Sequence, residues 1–186
     1  MGRHKTLSDA QILERALPVI ARAGPAGFTL ADLTAEIGLS PATLLQRFGT
    51  KQTLIVRAFA ADNERFARWI ADLPEGRGVN ATLGVYRAAT ESFQDERRSD
   101  LADHLLWLRE DIRNPAFNEL ARARFRLFRA AILQRLPPTR LPPKAVAQLL
   151  DAQCHGAIMQ WAIEPEGSLP NYVMKSLTAI LRLAAK

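Results

Sequence analysis

Apolar residues recur along most of this chain at intervals of three and four, the spacing that gathers them on one face of an α-helix. Between Ser8 and Ala23, the positions Ile12, Leu13, Ala16, Leu17, Val19 and Ile20 form one such stripe. Ser8 and Gln11 have the separation of a capping box, and Gly24 stands where a C-cap belongs, so a helix is predicted from Ser8 or Asp9 to Ala23. Pro18 inside it removes one backbone hydrogen bond and favours a bend. Thr29 opens a second helix through Ile37, with Leu30, Leu33 and Ile37 inward, and Gly38 permits a tight turn. Ser40 followed by Pro41 opens a third that stops at Gly49. Two turns of helix do not persist alone in water, because nucleation is costly. The third helix therefore needs bracing, which Leu39, Leu44 and Phe48 supply by packing inward.

A fourth helix is predicted from near Lys51 to about Asp72, ending at the linker-like PEGRG of residues 74–78. Further helices follow near 79–97, 100–112, 115–136, 144–163 and 169–185, with starts marked by Ser99 or Asp100, Asn114 before Pro115, and Ser168 before Pro170. The PPTRLPP stretch of 137–143 is a stiff break. No tract alternates with period two for long, so the fold class is all-α. The expected architecture is a three-helix helix-turn-helix domain over 1–51, joined by the long fourth helix to a helical bundle within 52–186.

Composition narrows the compartment and the partners. The single Cys154 excludes an internal disulfide and fits a reducing cytoplasm. The start, MGRHKTLSDA, lacks the apolar core of a secretory leader, and no run approaches the roughly 20 apolar residues that span a bilayer. Cytoplasmic localisation without membrane contact is expected. Lys and Arg outnumber Asp and Glu by 25 to 19, a net charge of +6 that makes an anionic partner plausible. Residues 1–51 carry only six of those cations against four acids, so charge alone does not single out nucleic acid.

The arrangement of the first three helices is more specific. A short helix carried on another by a tight turn is the geometry that places side chains in a major groove about 12 Å wide. The stretch RAGPAGFTLADLTAEIGLSPATLLQRFGTKQTL resembles the DNA-binding domain of the TetR family of bacterial transcriptional regulators. The matching pattern is Gly24 and Gly27 before Thr29, then Ile37-Gly38-Leu39-Ser40, Thr43-Leu44, Phe48, and Lys51 with Leu54. The resemblance covers about the first third of the chain. It implies that Thr29, Ser40, Thr43 and Lys51 reach phosphates, although capping by itself also accounts for Ser40. It further implies that Pro41, Ala42, Leu45, Gln46 and Arg47 face the groove. Gln46 suits adenine and Arg47 guanine. Arg3, His4 and Lys5 would form a basic arm on the backbone or minor groove. Leu45 stands where the family usually has Tyr, and Arg47 where an aromatic residue or His is common, which implies an unusual operator. Thr34 occupies a position that is usually Ala.

In the later helices, Phe117, Leu120, Ala121, Phe125, Leu127, Phe128, Ala131 and Ile132 share one face, with Arg122, Arg126 and Arg129 solvated on the other. Arg124 and Arg135 fall within the apolar arc. Arg124 needs either an acid such as Asp103 or Glu110 or an anionic ligand group, because an unpaired buried charge is costly. Arg135, near a helix end, can snorkel. Tyr86, Phe93, His104 and Trp107 either line a ligand pocket with Arg124 or fill a core. Small residues including Ala152, Gly156, Ala157, Ser176 and Ala179 allow close helix approach, and the family resemblance implies a two-fold homodimer through the last two long helices. The expected partners are thus an operator duplex, a small-molecule effector and a second copy of the chain. Ligand-driven release from a palindromic operator is the expected mode of action, with constitutive or architectural DNA binding as the alternative. His4, His104 and His155 are scattered, His155 diverges from its neighbour Cys154 by about 100° on a helix, and no glycine loop cradles phosphate, so neither an enzyme, a metal site nor a cofactor is expected.

Overall fold

A computed structural model describes residues 7–91 and 107–185. The basic arm Arg3, His4 and Lys5 and the candidates Phe93 and His104 lie outside the described residues, as does Asp103. Eight helices are defined among those described: α1 (Asp9–Gly27), α2 (Leu30–Ile37), α3 (Pro41–Phe48), α4 (Lys51–Ala71), α5 (Val79–Glu91), α6 (Pro115–Arg135), α7 (Pro143–Ile163) and α8 (Leu169–Ala184). Residues 107–113 are also helical. The β-structure among the described residues is one isolated bridge, Thr139 to Ala185, so the fold is all-α. No helix of the described residues is long and apolar enough to cross a membrane.

Two compact units emerge, Met1–Ala67 with Ala102–Arg124, and Arg68–Leu101 with Phe125–Lys186. The first is built around α1 to α3 and the start of α4. Ser8 caps α1 reciprocally with Gln11, each backbone N–H donating to the other's side-chain oxygen at 2.9 and 3.2 Å. The helix continues past Pro18. Its break comes instead at Gly24, whose φ of 67° and ψ of 159° is a conformation open to glycine. Phe28, fully buried, then donates its N–H back to the Gly24 carbonyl at 2.9 Å. Ile12, Ile20, Leu33, Leu54 and Ile55 are also completely enclosed in this core.

The second unit packs α8 along both α5 and α7, with Tyr86, Ile132, Leu150, Val173 and Leu177 inside. The PEGRG stretch is tied down at one point. Arg135 is 7% exposed and donates to the carbonyls of Leu73, Pro74 and Ala131 at 3.1, 3.0 and 3.1 Å. Its own carbonyl accepts from the Gly78 N–H at 2.9 Å and the Thr82 hydroxyl at 2.9 Å. Arg135 therefore does not snorkel. Three carbonyls converge on its planar fork, which no point charge at the surface would need.

Three further expectations for α6 change in the same way. Phe125, assigned to the apolar arc, is 40% exposed, with its ring 5.5 Å from that of His155. Arg129, assigned to the solvated face, reaches Asp151 at 3.1 Å, and Asp151 is buried. Arg124 does pair with an acid, but that acid is Asp62 on α4. It also donates from Nε to Asn63 Oδ1 at 2.9 Å and lies 4.7 Å from the centre of the Phe66 ring. Local periodicity places a side chain on an arc but does not say which neighbouring helix meets it.

Candidate nucleic-acid interface

The turn between α2 and α3 follows from three residues. Gly38 adopts φ 71° and ψ 22°, the left-handed C-cap conformation, and donates its N–H to the Thr34 carbonyl at 2.9 Å. Ser40 then caps α3, accepting from the Thr43 N–H at 3.1 Å, with Pro41 at the first helical position. Leu44 and Phe48 are 1% and 4% exposed, so the rear of α3 is fixed by burial. On its other side Pro41, Ala42, Leu45 and Gln46 are exposed, Leu45 at 45%. Leu45 and Gln46 thus stand side by side on the outer face of a helix braced from behind.

Several of the expected phosphate-contacting groups are already engaged. Thr29 and Asp32 form a reciprocal cap: the Thr29 N–H and hydroxyl both donate to Asp32 Oδ2, at 2.9 and 2.7 Å, and the Asp32 N–H donates to Thr29 Oγ1 at 3.2 Å. The Thr29 hydroxyl bond, and then its backbone bond, hold the Asp32 carboxyl below the usual carboxylate range. The Ser40 and Thr43 hydroxyls share one hydrogen bond of 2.9 Å, which leaves one hydroxyl hydrogen for an outside acceptor. Lys51 Nζ donates to the Phe28 carbonyl at 2.8 Å and approaches that of Ala26 at 3.5 Å, so one of its three donors remains.

Arg47 is placed differently from its neighbours. Its Nε donates to Asp9 Oδ1 at 2.8 Å and its Nη1 to the Leu7 carbonyl at 2.7 Å. Arg57 on α4 reaches the other Asp9 oxygen at 3.2 Å while lying over the Phe48 ring, 4.9 Å from its centre. Asp9 and Arg57 are thus part of this face although periodicity gave no sign of them. An acid in the first turn of a helix has a sufficient local reason to be there.

The profile of the family described as "Bacterial regulatory proteins, tetR family" matches residues 12–58, which span α1 to α3 and the first part of α4. Over these residues the chain is similar to the DNA-binding domain of that family. The chain is 36% identical over 101 residues to the HTH-type transcriptional regulator YezE of Bacillus subtilis (strain 168), a match covering 53% of this chain and 52% of that protein. It thus spans about half the length of the curated relative it matches. A TetR transcription regulator from Haloarcula marismortui ATCC 43049 superimposes with a TM-score of 0.76 at 14% identity, over 96% of this chain and 98% of that one. The multidrug binding protein EbrR, complexed with malachite green, superimposes with a TM-score of 0.70 at 22% identity, over 94% and 98%. At these identities the likeness is one of fold.

The remaining site candidates fall into the two units separately. Trp107 belongs to the first, its ring 4.2 Å from that of Phe59, which in turn meets Phe117 edge-on at 5.5 Å. Arg124 is in the same unit, engaged by Asp62, Asn63 and the Phe66 ring. Beside it, burial raises the Asp111 carboxyl above its usual range, with Arg124 opposing. Tyr86 is in the second unit, completely enclosed, with Phe128 edge-on at 5.3 Å. A recess of about 250 Å³ lined by Glu75, Gly76, Arg77, Gln134 and Arg135 and an open groove of about 750 Å³ running from Gln160 to Tyr172 both lie in the second unit, and neither is lined by these candidates.

Proposed function

We propose that this chain is a sequence-specific DNA-binding transcriptional regulator that acts as a two-fold homodimer on a palindromic operator and represses from it. The observation that carries the reading is α3, braced through Leu44 and Phe48 while Pro41, Ala42, Leu45 and Gln46 stay exposed. Gln46 reads adenine through paired hydrogen bonds and Leu45 meets a thymine methyl. Thr29, Ser40, Thr43 and Lys51 position the helix on phosphates, within a DNA-binding domain of residues 1–51. Residues 52–186 supply ligand binding and dimerisation.

Support for the dimer is an exposed stripe on α7. Leu149, Ala152, Gly156, Met159 and Ile163 recur at three and four residues; Leu149 is 49%, Met159 51% and Ile163 80% exposed. On α8, Ser176, Ala179 and Leu183 continue the theme, Leu183 at 81% exposure. Large apolar side chains at helical spacing around a small centre suit the close crossing of two helix pairs. Recognition helices about 34–36 Å apart then meet successive major grooves.

Release by a small-molecule effector is the expected regulation, and malachite green bound to EbrR makes aromatic cations the first class to try. The alternative, constitutive binding, draws support from Trp107 and Arg124, whose contacts with Phe59, Asp62, Asn63 and Phe66 account for both without a ligand. Selection of bound duplexes from a random pool, repeated with malachite green, proflavin and ethidium, tests the reading. A palindromic consensus whose half-sites lie one turn apart is expected. A pool that shows no enrichment would refute sequence-specific binding, and an enrichment indifferent to every ligand tried would favour the constitutive form.

A further inference from the structure

The groove-facing set implied by the resemblance includes Arg47 as a reader of guanine. The contacts of its side chain assign it another task. Nε and Nη2 both face Asp9 Oδ1, and Nη1 is spent on the Leu7 carbonyl. Its side chain is 25% exposed, against 45% for the Leu45 residue. A guanidinium reads guanine through two parallel N–H donors on one edge. Here the Nε–Nη2 edge lies against a carboxylate and Nη1 is committed to a carbonyl.

The acid that holds it binds more than one cation. Asp9 Oδ2 takes Arg57, and the Arg57 guanidinium covers the ring of Phe48. Arg47 and Phe48 are consecutive residues at the C-terminal end of α3, so one carboxylate fixes both, the first directly and the second through Arg57. Asp9 opens α1, where a negative charge also favours the helix N-terminus, while Arg47 sits in the last turn of α3, where a positive charge is favoured. The three side chains carry a net charge of +1, so the cluster as a whole does not repel a phosphate.

We infer that Asp9, acting through Arg47 and Arg57, is a positioning residue that sets the angle at which α3 is presented to DNA, and that Arg47 reads no base. This rests on the proposed DNA binding and names the residues that govern its specificity. If α3 is held at the wrong angle, every base contact is weakened together. Loss of a single reader relaxes one base pair only.

The test uses the full chain and the duplex that the wild type selects, in three variants: Asp9→Asn, Arg47→Gln and the double Asp9→Asn/Arg47→Gln. Helix content by circular dichroism at the assay temperature first establishes that each is folded. The expected result is a fall of roughly tenfold in the ratio of specific to non-specific affinity for each single variant, spread over all positions of the half-site. The double variant is expected to be no worse than the worse single one, because both remove the same link. Non-specific binding, driven by phosphates, should stay within about twofold. Arg47→Gln relaxing one base pair per half-site, with Asp9→Asn harmless or tighter-binding, would overturn the inference and make Arg47 a reader that leaves Asp9 on the duplex. Folded variants that keep the wild-type ratio would overturn it equally. A wild type that enriches no sequence refutes the DNA-binding proposal itself, which is a different outcome from either.

Discussion

Replacing Tyr86 with Phe should stabilise this protein, against the usual trend that core substitutions destabilise by about 1 kcal/mol. Tyr86 has no exposed surface, and its hydroxyl makes no hydrogen bond. Leaving a buried polar group without a partner costs roughly 1–3 kcal/mol relative to water. Tyr86→Phe removes that cost and keeps the ring, including its edge-on contact with Phe128 at 5.3 Å. The oxygen leaves a void smaller than a methyl group, worth under about 1 kcal/mol. The net expectation is a gain near 1 kcal/mol, or a rise of roughly 2–4 °C in Tm for a chain of this length. Burial first, then the charge of Asp151 and the nearby Cys154, push the phenol far above its ordinary pKa, so it stays neutral and the sign holds across ordinary pH. Thermal unfolding followed by circular dichroism, at matched protein concentration because the expected dimer makes Tm concentration-dependent, provides the readout. A fall of more than about 2 °C would refute the reasoning, since it would mean that the hydroxyl is satisfied in solution.

Leu44→Ala should cost roughly 2–5 kcal/mol, because a side chain 1% exposed leaves a cavity, and the loss should remove DNA binding along with α3; urea denaturation beside a binding assay checks both, and unaltered binding would mean that α3 is braced elsewhere. The Asp111 carboxyl, raised by burial, contributes stability that is complete below 3.8 and lost as pH rises through the elevated folded value. Asp111→Asn should accordingly gain on the wild type between pH 4 and pH 7 in paired denaturation curves, and an unchanged difference would remove burial as the governing influence. Cys154 is buried, and burial, then Asp151, push its thiol up to about 12, so a thiol reagent at pH 8 should modify it only as fast as the fold opens. Immediate stoichiometric labelling of the folded protein would contradict that.

Much of the first unit was legible because its determinants are local. Caps at Ser8, Thr29 and Ser40 act within three residues, the αL turn at Gly38 depends on one missing Cβ, and the spacing of Leu33, Ile37, Leu44 and Phe48 defines a single buried side. The long helices were legible for the same reason, from periodicity and from their prolines. The destinations of the arginines were not. Arg47 meets Asp9 across 38 residues, Arg124 meets Asp62 across 62, Arg129 meets Asp151 across 22, and Arg135 meets the Leu73 carbonyl across 62.

The sequence by itself determined that the described residues are helical, where the caps at Ser8, Thr29 and Ser40 open helices, and that a two-turn helix stands braced with Leu45 and Gln46 outward. Only the tertiary structure decided that Arg47 beside them is held by Asp9, that Arg135 clamps the PEGRG turn, and that Tyr86 and Asp151 keep polar atoms unpaired inside the second unit. The physical reason is range. Capping and hydrophobic spacing act within a turn or two of the chain, whereas a long cationic side chain takes whichever carboxylate or carbonyl the packed helices bring within 3 Å or so.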